Sequence, residues 1–538
     1  MIITRTPLFF GPDDRSLFGW YHAPAGKAAD IVAVICQPLG HEYINAHRSM
    51  RHLADRLARA GIAALRFDYH GTGDSTGSDD DPARVNAWRE SVVQAAATAR
   101  ALSGRSRLAL VGFRFGAALA AAASAELDID SLVLWAPVTR GRMYARELKA
   151  LHLTSGNESG SLIEPGGFLF TEETLSDISA LEAVPKAARV LELWRSPVER
   201  DAGGYNEMLA APHNTAVPYS AIDQIVEWIG EGATLEEPVM KEIRLEQLEG
   251  GVRETPVEVG HMFGILSEPA DGHVKAVPAV LLPNAGSVHH VGPSRLYVTL
   301  ARALSSRGFR VLRFDLPGLG DSVIEDAAQE NHPYIPPATP ALETVMEALR
   351  QQSYVVTGLC SGAHAAFHAA RELQAAPLVE SVLINPLTFY FEPGMSLDTG
   401  PANTHYSEWQ RYLQLVRSGA SWGKILRGDF GPMGVLRTVA ARIGFGVERG
   451  RRSDQLAVDL RRIIDSGRKL TFLFSRLDAG YDLLMAGAGP AVKRLQKKGE
   501  IDLWRIDGAN HTFEAKRSRD EMIARLVGHL TARYGSRP

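Results

Sequence analysis

Residues 66 to 75 read RFDYHGTGDS and residues 313 to 322 read RFDLPGLGDS, so seven of ten positions recur at a spacing of 247. Upstream, Arg48, Leu53, Ala54, Leu57 and Gly61 recur as Arg295, Leu300, Ala301, Leu304 and Gly308 at the same spacing. Further on, GFRFGA at 112 to 117 faces GLCSGA at 358 to 363 at a spacing of 246, and Pro137 faces Pro386 at 249. A register that drifts by so few residues marks the duplication of a whole fold. Such a period is far too long for a solenoid, whose units run to about 20–50 residues.

Each copy alternates β-rich apolar runs with helical periodicity. The first reads as strand Ile31 to Cys36, helix Arg48 to Ala60, strand Ala63 to Phe67, helix Arg84 to Leu102 and strand Leu108 to Gly112. The second repeats this through Val277 to Leu282, Leu296 to Arg307, Val311 to Phe314, Ala341 to Arg350, Tyr354 to Thr357 and Ser381 to Ile384. Strands separated by helices predict a parallel sheet with crossovers. The fold class is therefore α/β, with two tandem domains that are each a mostly parallel, doubly wound sheet. A stretch dense in Glu and Gly near 232 to 255 sets the boundary, giving domains 1–245 and 246–538.

Composition narrows the partners. Lys and Arg number 58 against 62 Asp and Glu, a net charge of −4, so no global basic field exists to hold nucleic acid. Cys36 and Cys360 are the only two cysteines, which excludes a disulfide framework or a thiolate zinc cluster and fits a reducing cytoplasm. The opening Met1-Ile2-Ile3-Thr4-Arg5 lacks the pattern of a signal peptide. Apolar runs such as Phe115 to Ala125 fall short of the roughly 20 residues a membrane helix needs, so no stable membrane insertion is expected.

In the second copy, Gly358-Leu359-Cys360-Ser361-Gly362 follows a strand and precedes an Ala-rich helix. Strand, sharp turn and helix are the setting of a nucleophile elbow, which holds its central side chain up at the carboxyl edge of the sheet. Two later strands, Leu470 to Phe474 and Ile501 to Ile506, are followed by Asp478 and Asp482 and by His511. In that chain order Cys360 would be the nucleophile, His511 the general base, and an Asp the group that fixes the His tautomer. Asp478 lies closer to its strand end than Asp482 and is the preferred acid. The oxyanion hole would use the backbone N–H of Ser361 and another from Asn284 or Ala285 in the loop after Val277 to Leu282. This set of residues calls for no metal and no organic cofactor.

On these residues the second copy resembles the α/β-hydrolase superfamily, near the serine aminopeptidase and monoacylglycerol lipase-like branch. Its RFDxxGxGDS and DGANHTF signatures are similar to those of hydrolases associated with exosortase clusters, and the duplication extends the resemblance to both halves. The departure is Cys360, where most members carry Ser and where dienelactone hydrolases and polyhydroxyalkanoate synthases carry Cys. A thiolate accepts acyl groups well from thioesters. The resemblance thus implies an acyl hydrolase for esters or thioesters. An acyltransferase moving an acyl group from a carrier-protein or coenzyme A thioester to an alcohol or amine is the second reading, and a non-catalytic scaffold is the third.

At the first copy's elbow, Gly112-Phe113-Arg114-Phe115-Gly116, the central residue is Arg, which stays protonated and cannot attack. The N-terminal domain is therefore expected to be inert, with Asp201 and His213 making no triad. Arg114 is either a structural remnant or a cation that binds an anion. A larger helical cap is expected over about 387–468. From 405 to 469 there are 13 Lys and Arg against 6 Asp and Glu, a local +7, with Tyr406, Trp409, Tyr412, Trp422 and Phe430 among them. That mixture suits either a solvated surface or a mouth for a phosphate-bearing acyl thioester.

Overall fold

The computed structural model describes residues 3–154, 162–193, 203–237, 243–272, 277–334, 336–373, 376–392, 395, 455–476 and 478–535. The chain forms two compact units, Met1–Pro336 with Phe513–Pro538, and Pro337–Thr512. The division into 1–245 and 246–538 describes the duplication, and the compact units part elsewhere.

In the first unit seven strands lie in the order Ile3–Phe10, Leu17–Pro24, Ala63–Phe67, Ile31–Cys36, Arg107–Phe113, Ser131–Trp135 and Arg189–Leu193. Ile3–Phe10 and Leu17–Pro24 form an antiparallel hairpin joined antiparallel to Ala63–Phe67, and every later pairing is parallel. Ile31–Cys36 is buried along its whole length because helices cover both faces. The period of two shows in the packing. Val32, Val34 and Cys36 join the core under helix Arg84–Ser103, whereas Ile31, Ala33 and Ile35 join the one under His41–Arg59. The same unit holds Gln247–Glu249, Val252–Val259, Met262–Pro269, Val311–Phe314 and Ala279–Pro283, adjoining in that order with only the last pair parallel.

In the second unit Tyr354–Leu359, Leu378–Ile384, Lys469–Ser475 and Ile501–Ile506 adjoin in chain order, all parallel. Helices Ala338–Leu349, Ser361–Glu372 and Ala479–Lys497 are interleaved with them. Among the described residues no helix is long and apolar enough to cross a membrane.

Helix boundaries differ between the copies for a local reason. The first copy's helix begins at His41, well before the expected Arg48. The second copy's helix waits until Leu296, because Gly292 sits at φ 73° and Pro293 cannot donate within a helix.

The repeated decapeptides meet each other inside the first unit. Arg66 pairs with Asp321, and Arg313 pairs with Asp74. Adding 247 to Arg66 and Asp74 gives Arg313 and Asp321, so each copy offers the other the same two groups, as in a two-fold symmetric contact. Arg66, Asp321, Arg313 and Asp74 are all buried. His290 bridges Asp315 at 2.9 Å and Asp74 at 2.7 Å. Burial opposes its protonation, but the two carboxylates outweigh that and hold its pKa at about 10. Tyr43 occupies the position equivalent to His290 and its hydroxyl donates to Asp68 at 2.8 Å, just as Asp315 is the equivalent of Asp68. The rings of His47 and His289 stack at 3.8 Å beside them. The conserved-looking motif therefore earns its recurrence as a buried, charge-balanced seam.

Candidate active site

Strand Tyr354–Leu359 runs into Cys360, and helix Ser361–Glu372 starts on the next residue. Cys360 adopts φ 59° and ψ −116°, a conformation that costs an L residue about 1–3 kcal/mol and persists where its surroundings enforce it. Its N–H donates to Ile384 O at 3.0 Å, and its carbonyl accepts from Ala363 N at 3.1 Å. Gly358 is required by the same turn: a Cβ there would lie 2.1 Å from the Gly362 carbonyl carbon. The thiol, half-buried, stands at the carboxyl end of the strand.

Asp478 and His511 follow the carboxyl ends of the two later strands in the same unit. Asp478 caps helix Ala479–Lys497, its Oδ1 accepting from Gly480 N at 2.8 Å. Its other oxygen, Oδ2, accepts from His511 Nδ1 at 2.6 Å. With Nδ1 donating, Nε2 is the nitrogen free to exchange a proton. Nε2 is buried and makes no hydrogen bond of ordinary geometry, although the Cys360 thiol acts on the ring. Burial disfavours the imidazolium, but the Asp478 hydrogen bond, the Cys360 contact and the two charges outweigh it and hold the pKa at about 10. Asp482 is exposed on the first turn of the helix, so Asp478 is the carboxylate beside His511.

Ser361 opens the helix after the elbow and is buried. Asn284 and Ala285 belong to the other compact unit. The Asn284 amide donates to Asp315 at 2.6 Å and to Val288 O at 2.9 Å, while its oxygen accepts from Leu316 N at 2.6 Å, which locks the loop.

Asn385 escaped the sequence reading. Its side chain donates to His511 O at 2.7 Å, and its Oδ1 accepts from Ser475 N at 2.9 Å. It thereby ties the histidine loop to the strand that leads to Asp478. The signal was there: Asn385 precedes Pro386, whose partner in the repeat is Pro137, and the first copy carries Ala136 at the matching place.

The first copy keeps the elbow without the chemistry. Arg114 sits at φ 55° and ψ −121°, nearly the backbone of Cys360. Its guanidinium donates to Glu42 at 2.7 Å and to Glu147 at 2.9 and 3.0 Å, and it lies over the rings of Tyr144 and Tyr205. Two carboxylates thus pair with it. His213 lies in a short turn at Pro212–Asn214, and Asp201 is outside the described residues. Most of the expected cap also lies outside them, including Tyr406, Trp409, Tyr412, Trp422 and Phe430. Within the described part, residues 455–465 form a helix, and Asp459 on it accepts from Tyr390 Oη at 2.8 Å.

Two family models match the chain at successive places. The family described as serine aminopeptidase, S33 matches residues 38–161, and the alpha/beta hydrolase family matches residues 279–525. The chain is a tandem α/β-hydrolase superfamily protein. Solved structures similar to it include a dienelactone hydrolase from Anabaena variabilis ATCC 29413, 16% identical, covering 54% of this chain and 99% of that one with a TM-score of 0.32. A hormone-sensitive lipase from a metagenome library is 14% identical, covers 53% and 85%, and has a TM-score of 0.31. A hydrolase from Pseudomonas aeruginosa PA01 is 17% identical, covers 52% and 97%, and has a TM-score of 0.29. No curated protein matches the chain.

Proposed function

We propose that the protein is an acyl hydrolase acting on an ester or thioester through Cys360, His511 and Asp478. The observation that carries the reading is the 2.6 Å bond from His511 Nδ1 to Asp478, made by a ring whose other nitrogen is left for the thiol of a strained elbow. Asp478 favours the protonated ring, so His511 can take the thiol proton as general base. The thiolate attacks the carbonyl carbon, the carbon–oxygen or carbon–sulfur bond to the leaving group breaks, and His511 gives that group its proton. The Ser361 N–H, at a helix N-terminus, stabilises the oxyanion as it forms. Water, deprotonated by the neutral His511, then cleaves the acyl–sulfur bond and restores the thiol.

A thiol nucleophile also favours thioester donors, so transfer from a carrier-protein or coenzyme A thioester to an alcohol or amine is the second reading. Intact-mass measurement after incubation with acyl thioesters and p-nitrophenyl esters tests both. The expected result is one acyl group per wild-type chain, none on Cys360→Ala, and weak hydrolysis by Cys360→Ser. Wild-type turnover by Cys360→Ala would overturn the covalent route. Acyl transfer to added alcohols or amines in preference to water would select the second reading.

A further inference from the structure

Helix Gly141–Thr154 follows strand Ser131–Trp135 of the first copy and is pinned to the first unit along one face. Tyr144, Ala145, Leu148 and His152 are buried on that face, and the Tyr144 ring stacks on Phe115 at 5.1 Å. A Cβ on Gly141 would lie 1.7 Å from Ile178 O, so the backbones meet there as closely as glycine allows. The opposite face is therefore fixed in its outward direction. Arg142, Arg146, Lys149 and Leu153 recur on it at i, i+4, i+7 and i+11, one stripe about 16 Å long at 1.5 Å per residue. Met143 and Ala150 border the stripe, Arg140 stands just before the helix, and all seven are exposed. Leu153 is 72% exposed and Met143 61%, so neither packs on its own domain.

Folding alone does not account for this charge. Arg142 and Arg146, four residues apart on a helix, repel each other. Arg140 and Arg142 lie at the positive end of the helix dipole, and the first turn holds no acidic residue to offset them. Among the described residues no carboxylate comes within 4.0 Å of Arg140, Arg142, Arg146 or Lys149. Glu147, the helix's one acidic residue, is paired with Arg114. Glu172, Glu173 and Asp177 on the neighbouring helix Glu172–Ala180 stay beyond that distance. The C-terminal helix Lys516–Tyr534 shows the contrasting arrangement, with Lys516 on Asp520 and Arg525 on Glu521, each one turn apart.

We infer that this face docks the protein on an anionic phospholipid surface, with the four cations against the headgroups and Met143 and Leu153 entering the acyl boundary. A cationic stripe is attracted to any polyanion, and it is the two apolar side chains that favour lipid. They stand out from the convex back of a helix, and a bilayer interface takes up protruding apolar side chains without a preformed pocket. Each Lys or Arg brought to an anionic leaflet adds to the attraction, which salt screens over a Debye length of about 10 Å at 0.1 M. The contact is peripheral, and it stands whether or not the proposed hydrolysis is correct.

Flotation of the full chain with phosphatidylcholine vesicles, pure or with about one-third phosphatidylglycerol, tests the inference. The wild type should float with the anionic vesicles, stay behind with the neutral ones, and let go as salt is raised. Arg142→Glu with Arg146→Glu should weaken binding at least tenfold, and Met143→Ser with Leu153→Ser at least threefold. These side chains are exposed, so both pairs should keep the wild-type melting temperature and the wild-type rate on a water-soluble ester. If the glutamates lower the melting temperature, Arg142→Gln with Arg146→Gln takes their place and should weaken binding in the same direction. Failure of the wild type to float with anionic vesicles, equal flotation with both kinds, or wild-type binding by the charge-altered chain would overturn the assignment. Unchanged binding by the serine pair would make the face a site for polyanions in general, an acidic protein among them, and would overturn the lipid reading.

Discussion

Replacing Asp478 by Asn tests the electrostatics of the proposed site without any knowledge of the substrate. His511 donates to Asp478 at 2.6 Å and is held at about 10 against an ordinary value of 6.5. The Asp478 hydrogen bond leads the favourable influences, ahead of those of Cys360. Each pKa unit corresponds to about 1.4 kcal/mol. The ring is 29% exposed, so water screens part of the full displacement, and a fall of about two units, or ~3 kcal/mol, is the expected effect of Asp478→Asn. Cys360→Ser, which removes the thiol but keeps the carboxylate, should lower the midpoint by less. The assay is NMR titration of chains labelled at the histidine Cε1, with the His511 signal assigned by its loss in His511→Gln. The raised folded-state pKa also has a stability sign: its contribution is fully present below pH 6.5 and is lost as pH rises through about 10. A His511 midpoint near 6.5 in the wild type, or one that Asp478→Asn leaves in place, would refute the reasoning.

The seam between the repeated motifs should respond to loss of one partner more than to loss of both. Asp321→Asn leaves Arg66 buried without its carboxylate and should cost about 3–5 kcal/mol in urea unfolding, whereas Arg66→Met with Asp321→Leu should recover most of that; equal costs for the two would contradict the buried pairing. Gly358→Ala forces a Cβ to 2.1 Å from Gly362 and should abolish Cys360 alkylation kinetics of the wild-type kind or prevent folding, with a wild-type rate counting against the elbow. Asn385→Ala releases the histidine loop and should lower kcat about 10- to 100-fold with KM nearly unchanged, and a matching rise in KM would mean that Asn385 meets substrate instead.

The duplication was legible because it is carried by side chains that the fold needs at fixed places. Strand Ile31–Cys36 begins and ends where its apolar run does, since burial on both faces leaves no polar residue to blur the edges. The two N-terminal hairpins, Ile3–Phe10 with Leu17–Pro24 and Val252–Val259 with Met262–Pro269, were not anticipated. Their alternation is interrupted by Pro7 and Pro256, and their partners are set by tertiary pairing rather than local pattern. Cys360, Asp478 and His511 could be named because each follows a strand in a fixed chain order. Asn385 could not, because its role rests on a hydrogen bond to a backbone carbonyl 126 residues away.

The seam also explains why a copy with Arg114 at its elbow has not decayed further. Asp74 pairs with Arg313 and Arg66 with Asp321, so deleting or unfolding the first copy would take Arg66 from the buried Asp321 and leave Arg313 with Glu254 of its own copy. The Phe9, Phe18 and Trp20 side chains pack with Phe263 and Ile265 in one buried cluster, which adds an apolar cost to the electrostatic one. Selection for the stability of residues 246–336 therefore acts on the first copy's motif whether or not that copy reacts with anything. The elbow backbone survives for a related reason. Gly112 and Gly116 are fixed by contacts with Ala117 and with the carbonyls of Cys36 and Gln37, closer than any Cβ could approach, so the turn is demanded by packing of helix Phe115–Ala123 on its sheet. The residue at the tip differs in kind, and there Arg114 has Glu42 and Glu147 as partners. The first copy's Cys36 fits the same picture, since burial pushes its thiol up to about 12 and leaves it a core residue rather than a nucleophile.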